Sequence, residues 1–174
     1  MEKMLYSACV NGNINIIDRL IREGVDINYD YNGIKPLLVA LINGKSNVAL
    51  LLLDQPNIIP YGITSTSIKY PGGSPLHIAS SKGFKDVIIK LIRLGADINQ
   101  VDNNGNTPLH LAYNADIAQL LLDYGANKYI TNRMGQTPLD IAYKRGNAKM
   151  IEVIDNHNDL EIKEPDEDYY TVPY

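Results

Sequence analysis

Thr107-Pro108-Leu109-His110-Leu111-Ala112 occurs twice more in close variants, as Ser74-Pro75-Leu76-His77-Ile78-Ala79 and as Thr137-Pro138-Leu139-Asp140-Ile141-Ala142. Pro75 and Pro108 stand 33 residues apart, Pro108 and Pro138 only 30. Proline suits the first position of a helix, because the N–H it lacks would have had no partner there. The Ser or Thr before it suits the N-cap, where a side-chain oxygen accepts from a free N–H of the first turn. The apolar spacing Leu76, Ala79, Val87, Ile88, Leu91, Ile92 then fits two amphipathic helices in tandem. Small Ala79, Ala112 and Ala142 let neighbouring helices approach closely. One such unit cannot bury its apolar face alone, whereas a stack of them can.

The pattern extends outward from these strings. Gly95-Ala96-Asp97-Ile98-Asn99 and Gly125-Ala126-Asn127 follow apolar runs, and Gly24-Val25-Asp26-Ile27-Asn28 repeats the theme near the start. Gly95 and Gly125 read as left-handed helix stops. Asn103-Asn104-Gly105-Asn106 and Arg133-Met134-Gly135-Gln136 sit just ahead of a Thr-Pro, where a tight turn belongs. In these strings and in its period the chain resembles the ankyrin-repeat family. The resemblance implies an all-α fold: an ankyrin-repeat solenoid of about five helix-turn-helix units with β-turn fingers, to which composition adds the expectation of a disordered acidic C-terminal tail.

The repeat domain is expected over residues 1–155, with units near 1–28, 29–58, 71–102, 103–132 and 133–155, each as a pair of antiparallel helices. The first unit lacks the Thr-Pro string and reads as an N-terminal cap. The second is degenerate, with Lys35-Pro36-Leu37-Leu38 replacing the hydrogen-bonding Thr and His. The fifth carries Asp140 in place of histidine, a variant that resembles a closing repeat, so both ends are expected to be capped. The fourth has lost three residues between Ala112 and Ile117, including a turn glycine. Its helices must be shorter, or joined by a different turn at Asn114-Ala115-Asp116. An insertion at 59–70, rich in Pro, Gly, Ser and Thr, forbids a continuing helix. Lengthening a surface loop there costs little.

Composition narrows the function. Residues 1–154 carry a net charge of +2 and residues 155–174 a net charge of −6, which together give −4 for the 174-residue chain. A nearly neutral stack with an acidic appendage lacks the basic stripe of a nucleic-acid binder. No apolar run is long enough to span a bilayer, and Met1-Glu2-Lys3-Met4 opens a helical pattern, unlike a signal peptide. Cys9 is the sole cysteine, so no internal disulfide can form and a reducing compartment is expected. The 18 asparagines include no N-x-S/T acceptor, in keeping with a cytoplasmic protein. Abundant Asn and Ile fit an AT-rich coding sequence. The tail, Asn156 to Tyr174, is charged, interrupted by proline and poor in apolar residues, so disorder is expected.

No catalytic constellation emerges. His77 and His110 occupy equivalent positions in successive units, and in the family this histidine fixes the turn through backbone and hydroxyl groups. His157 falls in the tail, where the sequence offers it no partner. Pro71-Gly72-Gly73-Ser74-Pro75 is Gly-rich but lacks a phosphate-binding lysine. There is no Walker string, no H-E-x-x-H and no nucleophile elbow. The expectation is a non-enzymatic chain without cofactor or metal.

What remains is surface. The resemblance implies that a partner protein docks on the turn tips and the inner helix face. Carried over residue by residue, the fingers offer Tyr29, Tyr31, Asn32 and Ile34, then Val101, Asn103, Asn104 and Asn106, then Thr131, Arg133, Met134 and Gln136. From the first helices, Ser81, Lys82, Tyr113, Asn114, Lys144 and Arg145 are expected to face the same groove. Tyr61 and Tyr70 in the insertion are further candidates. Tyr, Met and Arg are enriched where interfaces gain most energy. The chain thus resembles the small ankyrin proteins of large viruses and intracellular bacteria. More loosely, it resembles the ankyrin inhibitors of the NF-kappa-B transcription factors. This implies an adaptor or inhibitor, monomeric on its own, in the cytoplasm or a host cell's cytoplasm or nucleus. The alternative is an assembly subunit that docks through the insertion or the tail.

Overall fold

A computed structural model describes residues 1–31, 33–60 and 72–158 of the chain. Among these residues it contains nine helices: α1 (Glu2–Asn11), α2 (Ile14–Arg22), α3 (Pro36–Ile42), α4 (Ser46–Leu53), α5 (Pro75–Lys82), α6 (Lys85–Arg93), α7 (Ala115–Asp123), α8 (Pro138–Lys144) and α9 (Ala148–Asn156). Helices α1 and α2, α3 and α4, α5 and α6, and α8 and α9 pack as hairpins. An inner row forms where α1 meets α3 and α3 meets α5, and an outer row where α4 meets α6 and α7 meets α9. The only extended pairing among the described residues is the bridge of Tyr31 with Ile34 in the first finger. This is the all-α repeat solenoid that the sequence predicts.

The core is one continuous seam. Leu5, Ile17, Leu20, Leu41, Leu52, Leu76, Ile88, Leu91, Leu109 and Leu121 are among its fully buried side chains, and Ala79, Ala112 and Ala142 sit within it at 0–1% exposure. Cys9 is buried too, and desolvation pushes its thiol up to about 12, so it is an inert packing residue. The last residue of each G-x-D-I-N string stitches neighbouring units together. Asn28 Oδ1 accepts from Ile59 N at 2.7 Å while its Nδ2 donates to the Asn57 carbonyl at 2.8 Å. Asn99 Oδ1 accepts from Asn127 N at 2.8 Å. The Asp two residues earlier folds the local turn: Asp26 and Asp97 accept from the N–H of Asn28 and Asn99.

One unit departs from the expected pairs. In the fourth, Pro108–Leu111 is a single turn and not a helix. Its hydrogen bonds run three residues back, from Leu111 N to Pro108 O and from Ala112 N to Leu109 O, both at 3.2 Å. Tyr113 N then donates across to the Ser80 carbonyl of the third unit at 3.0 Å. Asn114 caps α7, its side chain accepting from Ile117 N at 3.0 Å. Ala115 and Asp116 therefore belong to a helix, not to a turn. The missing three residues were taken from the inner helix, which has too few residues left to close an α-helical bond before the chain must reverse.

His157 also differs from expectation. Its side chain is only 6% exposed and its Nε2 lies 3.8 Å from Asp123 Oδ1. Lys128, itself buried, donates from Nζ to the carbonyls of Ile154 at 3.2 Å and His157 at 2.8 Å. A cation at the carboxyl end of α9 answers both the unpaired carbonyls and the negative end of the helix dipole. The His157 side chain thus packs on the stack with Asn156 and Asn158 exposed beside it, while the rest of the acidic tail, 159–174, and the insertion from 61 to 70 lie outside the described residues.

Candidate protein-binding surface

Two of the fingers are built by an Asp or Asn side chain at one equivalent position. Asp102 Oδ1 accepts from the N–H of Asn104 at 2.8 Å and of Asn106 at 2.9 Å. Thirty residues on, Asn132 Oδ1 accepts from Met134 N at 2.9 Å and Gln136 N at 3.0 Å. Each loop is closed again by the backbone, Asp102 N to Asn106 O and Asn132 N to Gln136 O, both at 2.9 Å. The two fingers are then tied side by side. Arg133 N donates to Asn104 O at 2.9 Å, and Asn132 Nδ2 to Asn106 Oδ1 at 3.1 Å. Gly105 is required here: its φ is +78°, and an added Cβ would lie 2.8 Å from Arg133 N.

The histidines fix each finger to the unit before it. Ser74 N donates to His77 Nδ1 at 3.2 Å, and Nε2 lies 2.9 Å from the Asn106 carbonyl. Thr107 N donates to His110 Nδ1 at 3.1 Å, and Nε2 lies 3.0 Å from the Gln136 carbonyl. A backbone N–H can only donate and a carbonyl only accept, so both rings are neutral with the proton on Nε2. Burial, the largest influence on each, holds both below the ordinary histidine value of 6.5. Asp140 keeps the local half of this arrangement. Its Oδ2 accepts from Thr137 N at 2.8 Å and from the Thr137 hydroxyl at 2.7 Å, and these bonds hold its carboxyl below the ordinary carboxylate range. An aspartate cannot donate onward to the carbonyl of a following finger.

These scaffolds leave a surface between the fingers and the inner helices. Ser81, Asp102, Asn104, Asn106, Leu111, Ala112, Tyr113 and Arg145 line a cleft of 320 Å³ there. It lies over the fourth unit, where the inner helix is cut to one turn. Tyr113 is 66% exposed, its ring resting so closely on Gly83 that a Cβ there would meet Cδ1 at 3.1 Å. Of the residues expected to face the groove, the structure gathers Ser81, Asn104, Asn106, Tyr113 and Arg145 at this cleft.

The others are distributed along the stack. Val101, Asn103, Thr131, Arg133, Met134 and Lys144 are exposed, and Lys82 is half-buried at the end of α5. Tyr29 is exposed, whereas Tyr31 is half-buried with its ring centroid 4.8 Å from that of Tyr6. Ile34 is packed against the core. The side chains of Asn106 and Asn114 already serve the finger and the α7 cap, and the Gln136 carbonyl serves His110. Asn32, Tyr61 and Tyr70 lie outside the described residues. Asp102, Leu111 and Tyr143 were not among the expected residues. Tyr143, 59% exposed, follows Pro138 by five places as Tyr113 follows Pro108, so aligning the units would have found it. Asp102 is legible only as the finger counterpart of Asn132.

The comparisons agree with this architecture. A family model described as ankyrin repeats (3 copies) matches residues 2–61, 61–132 and 76–166. The chain belongs to the ankyrin-repeat family. One fowlpox virus ankyrin repeat protein is 34% identical over 143 residues, covering 78% of this chain and 30% of that relative. A second from the same virus is 32% identical over 167 residues, covering 90% and 48%. The human SH3 and multiple ankyrin repeat domains protein 2 is 31% identical over 163 residues, covering 91% and 8%. The chain therefore spans less than half the length of these relatives. Ankyrin repeats generally mediate contacts between proteins and are generally non-enzymatic. No helix among the described residues is long and apolar enough to cross a membrane.

Proposed function

We propose that this ankyrin stack holds a partner protein in the cytoplasm across its finger and inner-helix surface, as an adaptor or inhibitor. The observation that carries the reading is the division of labour within the fingers. Asp102, Asn132, His77 and His110 hold the backbone, while the side chains of Val101, Arg133 and Met134 project without a framework role. Large apolar and cationic side chains on rigid tips, such as Met134 at 68% exposure, are the raw material of interface hot spots. Their rigidity also lowers the ordering cost of association.

The test is a paired substitution, Arg133→Ala with Met134→Ala, in the intact chain. The stability cost should stay within about 0.5 kcal/mol per site, as at exposed positions generally. Affinity for a partner purified from the native cell should fall about tenfold or more. Unchanged affinity in this variant, with complete loss on removing residues 159–174, would transfer the activity to the tail and leave the stack as its carrier.

A further inference from the structure

The shortened fourth unit does more than interrupt the inner row. Helices α5 and α8 stand on either side of it, and between them the wall drops to the single turn Pro108–Leu111. The carboxyl ends of those two helices carry Lys82 on one side and Lys144 and Arg145 on the other. Counting from Pro75 and Pro138, Lys82 and Arg145 hold the same register, each seven places on. Arg145 lines the cleft itself, and Tyr113 forms an exposed aromatic platform there.

No carboxylate of the described residues answers these three cations. Asp102, 7% exposed, already accepts from Asn104 N, Asn106 N and Asn106 Nδ2. Asp140 is held by Thr137. Asp116 is 3.6 Å from Lys149 on α9. The cleft thus has one satisfied, buried acid in its wall and one cation, Arg145, in its lining. Lys82 is next in sequence to the lining residue Ser81 and Lys144 next to Arg145, and no carboxylate of the described residues pairs with any of the three. A volume of 320 Å³ is at the small end of ligand-sized clefts, enough for a few side chains and too small for a folded domain.

We infer that the notch over the fourth unit receives an acidic peptide segment of the partner, with its carboxylates on Lys82, Lys144 and Arg145 and its apolar part on Tyr113. This rests on the proposed function and adds the chemistry of what is bound. Short random peptides displayed on phage are selected against the intact chain, and enriched peptides are synthesised for titration. Peptides rich in Asp and Glu are expected. Their affinity should fall about tenfold or more with Lys82→Glu or Arg145→Glu, in the same direction but less with Lys82→Gln or Arg145→Gln, and with rising salt. Arg22→Glu, on an exposed cation of the first unit, should change nothing. Circular dichroism of each variant separates lost binding from lost fold. Enriched peptides without acidic bias, acidic peptides indifferent to the notch substitutions, or no enrichment at all would each overturn the inference. If a native partner is released by the Arg133 and Met134 pair but not by the notch variants, the finger surface stands and the acidic-segment inference falls.

Discussion

The third and fourth units share the string of hydroxyl residue, Pro, Leu, His, apolar residue and Ala, yet the third has two helices and the fourth only one. The histidine geometry is nevertheless the same in both, with Nδ1 on the preceding backbone N–H and Nε2 on the carbonyl of the next finger. The shared string therefore specifies the finger and its attachment, not the helix that follows. Helix length is set separately, by how many residues remain before the second helix must begin. A unit can lose its inner helix and keep its place in the stack, because Leu109 and Ala112 remain buried and Tyr113 N is bonded to Ser80 O.

The comparison breaks first at its core. Leu76 and Leu109 are each 1% exposed at equivalent positions. Leu109→Ala should remove about 2–5 kcal/mol, a large share of a domain's stability. Leu76→Ala should cost a similar amount, read from denaturant midpoints. A much smaller loss at Leu109 would mean that the single turn does not share the core.

Next come the bridging histidines. His110→Ala leaves the Thr107 N–H without its partner and removes one of the two donors to the Gln136 carbonyl, which keeps Asn132 N, at a cost of about 1–3 kcal/mol for buried polar groups. His77→Ala should match it, whereas Asp140→Ala should cost less, because Asp140 is exposed and holds no following finger among the described residues. The same rings give a pH dependence. Their folded values lie below the ordinary 6.5, so the unfolded chain binds more protons as pH falls through that value. Stability should then decline as pH drops below about 6.5 and level off below the lowered folded values. In the doubly substituted His77→Ala, His110→Ala chain this slope should flatten, as checked by urea titrations across that range.

Smaller effects sharpen the contrast between the finger of the fourth unit and that of the fifth. Gly105→Ala meets both an unfavourable positive φ and the Arg133 backbone, whereas Gly135 has a φ of +72° and open space around it. Gly135→Ala should therefore cost only the conformational term of about 1–2 kcal/mol, and Gly105→Ala distinctly more. Equal melting shifts would contradict the close approach of the two fingers. Lys128→Met should cost about 1 kcal/mol by uncapping the end of α9, with faster amide exchange confined to that helix.

The fold was legible because its signals are local and periodic. Proline, the residue before it, and the glycine after each apolar run impose backbone geometry wherever they occur. The identity of the shortened element was not legible. Three missing residues could come from the helix or from the turn, and the choice rests on the bond from Tyr113 N to Ser80 O and on the Asn114 cap. Both involve pairings that no periodicity reveals. His157 looked solitary for the same reason, since its neighbours Lys128 and Asp123 lie about 30 residues away in sequence and meet it only once α7 and α9 pack. At the candidate surface, the sequence placed Asn106 and Asn114 beside projecting residues such as Arg133 and Met134, and gave no sign that the finger and the α7 cap already use their side chains.

The central claim is that the fourth unit crosses the inner face as a single turn, opening the notch. Hydrogen exchange of the Tyr113 amide tests it directly. Although the Tyr113 side chain is largely in solvent, its N–H is bonded to the Ser80 carbonyl of the neighbouring unit, so it should be protected to about the same degree as amides within α5. Exchange at the rate of an open amide, together with helical chemical shifts running unbroken from Pro108 through Asn114, would contradict the account.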